Sequence, residues 1–326
     1  MDFLTVFRYT ALLGSLAVLM PAPVAAQADA YPTKPVTLVV AYPPGGSTDL
    51  TGRTLGIELS KKLGVPVVIE NIGGAAGAIG AQKVANAAPD GYTLLVGANN
   101  EVAINRLVSA SVRYELKDFT PLGLIASQPL VLVASQKSGV KNVGQFLNLV
   151  KQNPGKFSYG SSGVGSSLHL AGEMIKDQGS LFMTHIPYRG VAPLTNDLLG
   201  GNIDFGVYVL SSALPFIRSG KLVALGTTEL KRSAVTQDMP ALAETPQLKG
   251  IDIGTWYVLM GPANMPAPVV ARLKTALGES LQSPELRKKL QDASSTIAPP
   301  EVDMPRFLNT EIVKYKKIVD FAKITE

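Results

Sequence analysis

The chain has 326 residues, of which 30 are Lys or Arg and 25 are Asp or Glu, so its net charge is +5. It contains no cysteine, which excludes disulfide bonds, thiolate metal ligands, a cysteine nucleophile and a lipoprotein anchor. The basic residues occur in short pairs, such as Lys61-Lys62, and not in a continuous stripe, a pattern that argues against nucleic-acid binding. The modest positive charge is compatible with a small anionic ligand.

The first residues have the three parts of an export signal. Arg8 supplies a basic residue, residues 11–20 form an apolar stretch, and residues 25–28 offer small-residue cleavage sites. Two prolines end the apolar stretch too early for a membrane anchor, which needs roughly 20 apolar residues. We therefore expect residues 1–28 to be a signal peptide that is removed, and the mature protein to lie in the periplasm.

Strand-like apolar runs alternate with helical patterns along the rest of the chain. The strand-like runs span 36–42, 65–70, 92–98, 130–134, 157–159, 183–187, 203–210, 222–227 and 255–261. The helix candidates span 50–63, 143–152, 168–178, 194–199 and 269–282, and residues 304–322 have apolar residues at the spacing of an amphipathic helix. This alternation predicts an α/β fold with largely parallel sheets. About 300 mature residues exceed what one core usually fills, so two domains are expected.

The most informative loop follows the first predicted strand. Residues 43–49 read Pro-Pro-Gly-Gly-Ser-Thr-Asp, in which the prolines end the strand and the glycines permit close backbone approach. We expect Ser47, Thr48 or Asp49 to cap the next helix, whose free N–H groups would then face a carboxylate or phosphate. The alternative is a purely structural strand-to-helix loop, in which Asp49 is an ordinary helix-start acid.

A second glycine-rich segment, residues 71–80, follows the next predicted strand. Its spacing is Gly74-x-x-Gly77-x-x-Gly80, which departs from the G-x-G-x-x-G fingerprint of dinucleotide-binding folds. Close packing of a helix on the sheet, or a backbone surface that lines a cleft, explains these glycines better. No nucleotide or other cofactor is expected.

The third loop, between residues 159 and 169, carries four serines. Ser166 or Ser167 is the predicted N-cap of the following helix, and the other hydroxyls could donate hydrogen bonds to an anion. A serine hydrolase would need G-x-S-x-G, but Val164 stands where its second glycine would fall. The only two histidines, His169 and His185, have no partner at metal-ligand or nucleophile spacing, so the sequence predicts neither an enzyme nor a metal site.

A series of short motifs occurs in order along nearly the whole mature chain. They are YPxKP at 31–35, PPGGxTD at 43–49, AIGA at 78–81, APDGYTLL at 88–95, KDF at 117–119, NPGK at 153–156, YxSSG at 159–163, HLAGE at 169–173, PYRG at 187–190 and LLGG at 198–201. In these motifs the chain resembles the extracytoplasmic solute receptors of the tripartite tricarboxylate transporter family, also called Bug proteins or TctC-like periplasmic binding proteins.

The resemblance implies a type II periplasmic-binding-protein fold, in which two lobes joined by two crossover strands close over a ligand. Lobe one would contain residues 29–130 and 250–326, and lobe two residues 131–249. The implied function is capture of a small organic carboxylate and its delivery to a permease of the tripartite tricarboxylate transporter type, by a monomer without catalytic activity. The alternative is a ligand-sensing partner of a membrane sensor kinase.

The resemblance also nominates the site. Carried over by position, the ligand-binding residues are Gly46, Ser47, Thr48 and Asp49 on lobe one, and Ser161, Ser162, Ser166 and His169 on lobe two. The chain departs from the family where Asn99-Asn100-Glu101 replaces small hydroxyl residues.

A second departure concerns Tyr208, which stands where relatives that bind amino acids carry an aspartate. A tyrosine carries no charge at neutral pH and cannot pair with an ammonium group. We therefore expect a carboxylate without an amino group, aromatic acids included, with Tyr208 as an edge or stacking partner. Packing of Tyr208 in the core is an equal alternative.

Overall fold

The computed structural model describes residues 31–299 and 301–325, so the expected signal peptide at 1–28 lies outside the described residues. The strands are β1 (Val36–Val40), β2 (Val67–Asn71), β3 (Thr93–Ala98), β4 (Phe119–Ser135), β5 (Ser158–Ser161), β6 (Thr184–Pro187), β7 (Phe205–Val209), β8 (Leu222–Thr227), β9 (Gly254–Pro262) and β10 (Thr296–Ile297). The helices are α1 (Ser47–Leu63), α2 (Ala78–Ala85), α3 (Asn105–Val108), α4 (Val143–Gln152), α5 (Ser167–Gly179), α6 (Val191–Gly200), α7 (Leu210–Arg218), α8 (Ala267–Ser280), α9 (Pro284–Asp292) and α10 (Met304–Ala322).

The strands form a ten-stranded sheet whose main path has the order β2-β1-β3-β9-β4-β7-β5-β6. At its two ends the pairs are parallel: β1 with β2 and β3, and β5 with β6 and β7. In the middle, β9 runs antiparallel to β3 and β4, and β4 runs antiparallel to β7 and β8. The expectation of largely parallel sheets is therefore wrong for the middle, where two long strands run against their neighbours.

Strand β4 changes partners part of the way along its 17 residues. Its first part, Phe119–Pro129, pairs with β9, and its second part, Leu130–Ser135, pairs with β7 and β8. The apolar pattern revealed only the second part, because Pro121, Gly123 and Pro129 interrupt the first. The register of β4 with β9 shifts twice, between Pro121 and Gly123 and between Leu124 and Ala126. The division into two lobes remains a prediction, and β4 is the strand that would cross between them.

The apolar residues of β1 show how the core is built. Leu38 and Val40 pack in one buried cluster with side chains of α1 and α8, and Val39 packs in a second cluster on the other face of the sheet. A parallel strand covered on both faces is nearly continuous in apolar residues, as this one is. Because the helices cover both faces, the loops at the carboxyl ends of the strands are the places left for a ligand.

The C-terminal segment forms the amphipathic helix that its spacing predicted. In α10 the side chains of Leu308 and Tyr315 are buried. Trp256 of β9 is buried as well and donates a hydrogen bond from Nε1 to Glu311 Oε2 at 2.8 Å, while its ring meets Phe307 edge-on. Trp256 therefore anchors α10 to the sheet. Across residues 31–299 and 301–325, no helix has the length and apolar character needed to cross a membrane.

Candidate functional site

The loop after β1 leads directly into α1, which begins at Ser47. Its N-cap is Gly46, so the expectation that Ser47, Thr48 or Asp49 caps the helix is wrong. The Asp49 carboxylate instead reaches back from the third helical position and accepts a hydrogen bond from the Gly45 N–H at 2.9 Å. A glycine fits the cap because no side chain is needed there once Asp49 supplies the acceptor. Among the described residues, the N–H groups of Ser47 and Thr48 have no hydrogen-bond partner.

Asp49 is tied into the protein by further bonds. Its carboxylate accepts hydrogen bonds from Arg53 Nε at 2.9 Å and from Asn71 Nδ2 at 2.8 Å. Burial alone would raise the pKa of Asp49, but the bonds from Arg53, Gly45 and Asn71 outweigh burial and leave the pKa below its ordinary value. The charge of Asp49 is thus matched within the protein, and its role is to hold the shape of the 43–49 loop.

The serine loop after β5 is folded onto itself. Ser161 is fully buried, and its Oγ lies 3.1 Å from the Gly163 carbonyl oxygen and 2.7 Å from His185 Nε2. Ser166 is the N-cap of α5, accepting from the His169 N–H at 3.2 Å and donating to the Gly163 carbonyl at 2.8 Å. The predicted N-cap role of Ser166 is confirmed. Ser162 is half-buried, and its hydroxyl makes no hydrogen bond to any described residue, so it is the serine best placed to meet a ligand.

The two histidines stack beneath this loop. The ring centroids of His169 and His185 lie 3.8 Å apart with the planes 9° from parallel. The Gly165 N–H donates to His169 Nδ1 at 3.1 Å. Burial lowers the pKa of His169 to about 4 and that of His185 to about 3, so both rings are neutral at physiological pH. Each ring also makes a hydrogen bond to the serine loop.

A side-chain contact joins the two regions of the site. Asn100, which follows β3, accepts a hydrogen bond at its Oδ1 from the backbone N–H of Ser167 at 2.9 Å. Val108 lies so close to Gly165 that a Cβ on this glycine would meet Val108 Cγ2 at 2.6 Å. Because β1 and β3 are parallel neighbours, the 43–49 loop emerges at the same edge of the sheet as Asn100. The 43–49 loop and the serine loop therefore lie at the same edge of the sheet as Asn100.

Tyr208 has a different position from the other predicted site residues. It is fully buried in β7, packs with Val131 and Leu194, and donates a hydrogen bond from Oη to Thr195 Oγ1 at 3.2 Å. Burial raises the pKa of Tyr208 to about 12. Of the two interpretations of this residue, the contacts favour core packing over contact with a ligand.

Two cavities lie away from these loops. One, of about 780 Å³, lies between β4 and α8, and another, of about 420 Å³, is bounded by α1, α7 and α9. Neither is lined by a predicted site residue. Within residues 31–299 and 301–325, no cluster of His, Asp and Glu side chains could hold a metal ion.

The residue pattern missed two contributors to this region. Asn100 stood out only as a departure from the family, and nothing in its sequence surroundings indicates a contact with residue 167. Asn71 supports Asp49 from the neighbouring strand, and a lone asparagine at the end of a strand is too common to reveal such a role. Both contacts depend on tertiary structure.

A family profile described as "Tripartite tricarboxylate transporter family receptor" matches residues 52–324. Protein BugT of Bordetella pertussis is 33% identical over 297 residues, covering 90% of each chain. The matched profile describes a receptor, which confirms the prediction of a protein without catalytic activity.

Three solved structures share the fold. R. palustris Rpa4515 with adipate has 32% identity and a TM-score of 0.85, covering 90% of this chain and 99% of that one. MatC (Rpa3494) from Rhodopseudomonas palustris with bound malate has 30% identity and a TM-score of 0.80, covering 89% and 100%. The periplasmic binding protein BugD has 31% identity and a TM-score of 0.82, covering 90% and 99%. The predicted periplasmic-binding-protein fold is confirmed.

Proposed function

This chain belongs to the tripartite tricarboxylate transporter receptor family, and we propose that it is a periplasmic receptor that captures a small organic carboxylate for delivery to a membrane permease. The ligand binds between the 43–49 loop and the serine loop, each on its own lobe. The bound adipate and malate of two solved relatives support the ligand class, and the permease follows from the family to which the chain belongs.

The observation that carries this proposal is the N-terminus of α1. The N–H groups of Ser47 and Thr48 have no partner among the described residues, and Gly46 places no side chain over them. The helix dipole adds a partial positive charge at the same point. A carboxylate bound there gains charge-assisted hydrogen bonds without a Lys or Arg.

The acids near the loops argue for a ligand without an amino group. Asp49 is paired with Arg53, and the Glu101 carboxyl accepts hydrogen bonds from Tyr42 and from the Ala98 N–H. An ammonium group would therefore find no free carboxylate at either residue, and burying it unpaired is costly. This argument replaces the one based on Tyr208, whose side chain packs in the core.

Calorimetry on the mature protein tests the proposal. Adipate and malate should bind one-to-one and be recovered unchanged, whereas aspartate and glutamate should bind far more weakly. Ligand at about 100 times its dissociation constant should stabilise the protein by ~2.7 kcal/mol, so a thermal-shift screen of other organic acids can follow. Failure of every organic acid to bind, or recovery of a chemically altered ligand, would refute the proposal.

A further inference from the structure

The stacked imidazoles hold both ends of the serine loop. His185 Nε2 lies 2.7 Å from Ser161 Oγ, where β5 ends, and His169 Nδ1 accepts from the Gly165 N–H just before α5 begins. The four residues after Ser161 thus span from one ring to the other. Since the rings are in contact with each other at 3.8 Å, the two ends of the loop are held at a fixed separation.

The surroundings favour neutral rings. The Tyr159 ring stacks on His185 with centroids 4.9 Å apart. The Glu173 carboxylate lies 3.8 Å from His169 Nε2 but is already paired with Lys176 at 2.8 Å. The bond from Gly165 requires a lone pair on His169 Nδ1, which fixes the tautomer with the proton on Nε2.

We propose that His169 and His185 are positioning residues for the proposed function, because they hold the serine loop in the shape that binds the carboxylate, and that their protonation releases the loop. A proton on His169 Nδ1 would face the Gly165 N–H and remove its acceptor. A second proton on His185 would place two positive charges in stacked rings. Of the charged groups that face the pair, Glu173 raises the pKa of His169, and Lys176 lowers the pKa of both rings.

Matched variants separate the hydrogen bonds from the ring packing. His169→Asn keeps an acceptor near the position of Nδ1 and does not titrate, whereas His169→Leu removes the acceptor. His185→Gln and His185→Leu form the corresponding pair for Ser161. Each leucine variant should bind adipate about three- to tenfold more weakly at pH 7.5 than the amide variant at the same position, as expected for one lost hydrogen bond.

The pH profile distinguishes positioning from a purely structural role. Adipate affinity of the wild type should fall more steeply between about pH 5 and pH 3 than that of the His169→Asn/His185→Gln double variant. Protonation of the ligand itself affects both proteins equally and is removed by the comparison. Equal profiles together with equal affinities of the leucine and amide variants would overturn the inference.

NMR provides a readout that does not need a ligand. The chain has only two histidines, so a tag-free protein shows one imidazole signal for each. The Gly165 amide signal should shift with the titration of His169, and its hydrogen exchange should be faster in His169→Leu than in wild type. Unchanged hydrogen exchange of Gly165 in His169→Leu would refute the inference, whether or not an organic acid binds. Failure of the wild type to bind any organic acid would instead refute the proposed function. If a leucine variant does not fold, the wild-type titration still decides.

Discussion

Tyr42 donates a hydrogen bond from Oη to Glu101 Oε2 at 2.7 Å, and Glu101 is only 1% exposed. Glu101 lies in a π-helical turn, Asn100–Ile104, and its Oε1 accepts from the Ala98 N–H at 2.6 Å. Burial raises the pKa of Glu101 to about 7, against the lowering effect of both hydrogen bonds. Among the described residues no Lys or Arg pairs with Glu101, so its carboxyl ionises near neutral pH.

We expect the stability of the protein to fall as the pH rises through 7. The folded pKa of Glu101 exceeds the ordinary value of 4.5, so its contribution to stability is fully present below pH 4.5 and is lost as the carboxyl ionises inside the folded protein. Glu101→Gln should remove this pH dependence, which amounts to on the order of 1–3 kcal/mol in the free energy of unfolding. Melting temperatures of both proteins between pH 4.5 and pH 8 check the prediction, and parallel curves would contradict it.

Asn100→Ala should weaken adipate binding about fivefold, because the bond to Ser167 holds the two loop regions together before the ligand arrives. Asn100→Asp is the matched control. It keeps an acceptor for the Ser167 N–H and strengthens the bond by its charge, but it repels a ligand carboxylate. Because the position is buried, the unpaired charge should lower the melting temperature, and the affinity should fall at least as far as in Asn100→Ala. Calorimetry and thermal unfolding measure the two effects, and wild-type affinity in both variants would show that this contact has no part in binding.

Thr48→Ala and Ser162→Ala should each weaken binding by roughly 1.5 to 3 kcal/mol, the value of a hydrogen bond to a charged group. Neither hydroxyl has a partner among the described residues, so the melting temperature of the ligand-free protein should stay nearly unchanged. Ser166→Ala is the contrasting variant, since it removes the N-cap of α5 and should lower stability by ~0.5 to 2 kcal/mol. Wild-type affinity in both of the first two variants would place the ligand elsewhere.

Tyr208→Phe should destabilise the protein by ~1 kcal/mol and leave ligand selectivity unchanged, because it removes only the bond to Thr195 in the core. Chemical denaturation gives the stability, and competition between succinate and aspartate gives the selectivity. A change in the preference between these two acids would show that Tyr208 contacts the ligand.

The sequence was informative where local chemistry decides the structure. Ser166 is a strong N-cap residue before an apolar helix, and the amphipathic spacing of residues 304–322 identified α10. Local rules also explain one error: the sequence offered three good cap residues at 47–49, but Asp49 reached back to Gly45 and left the cap to Gly46.

The remaining differences arise from long-range contacts. The partner of Asn100 lies 67 residues away, so no local pattern could indicate it. The burial of Tyr208 depends on which face of β7 meets α6, and a fully apolar strand gives no alternation from which to choose the face. The first part of β4 is hidden by its prolines, and its pairing with β9 depends on residues more than 120 positions away.

The anchoring of α10 by Trp256 gives the protein an optical probe of its own. Trp256 is the only tryptophan, so the intrinsic fluorescence excited at long wavelength comes from one indole. The hydrogen bond to Glu311 and the contact with Phe307 make that emission sensitive to the docking of α10. In the same helix, Tyr315 Oη accepts from Asn99 Nδ2 at 2.8 Å, and Asn99 is the neighbour of Asn100. A change of emission on adding a carboxylate would therefore show, in real time and without a label, that ligand binding at the loops alters the docking of the C-terminal helix α10.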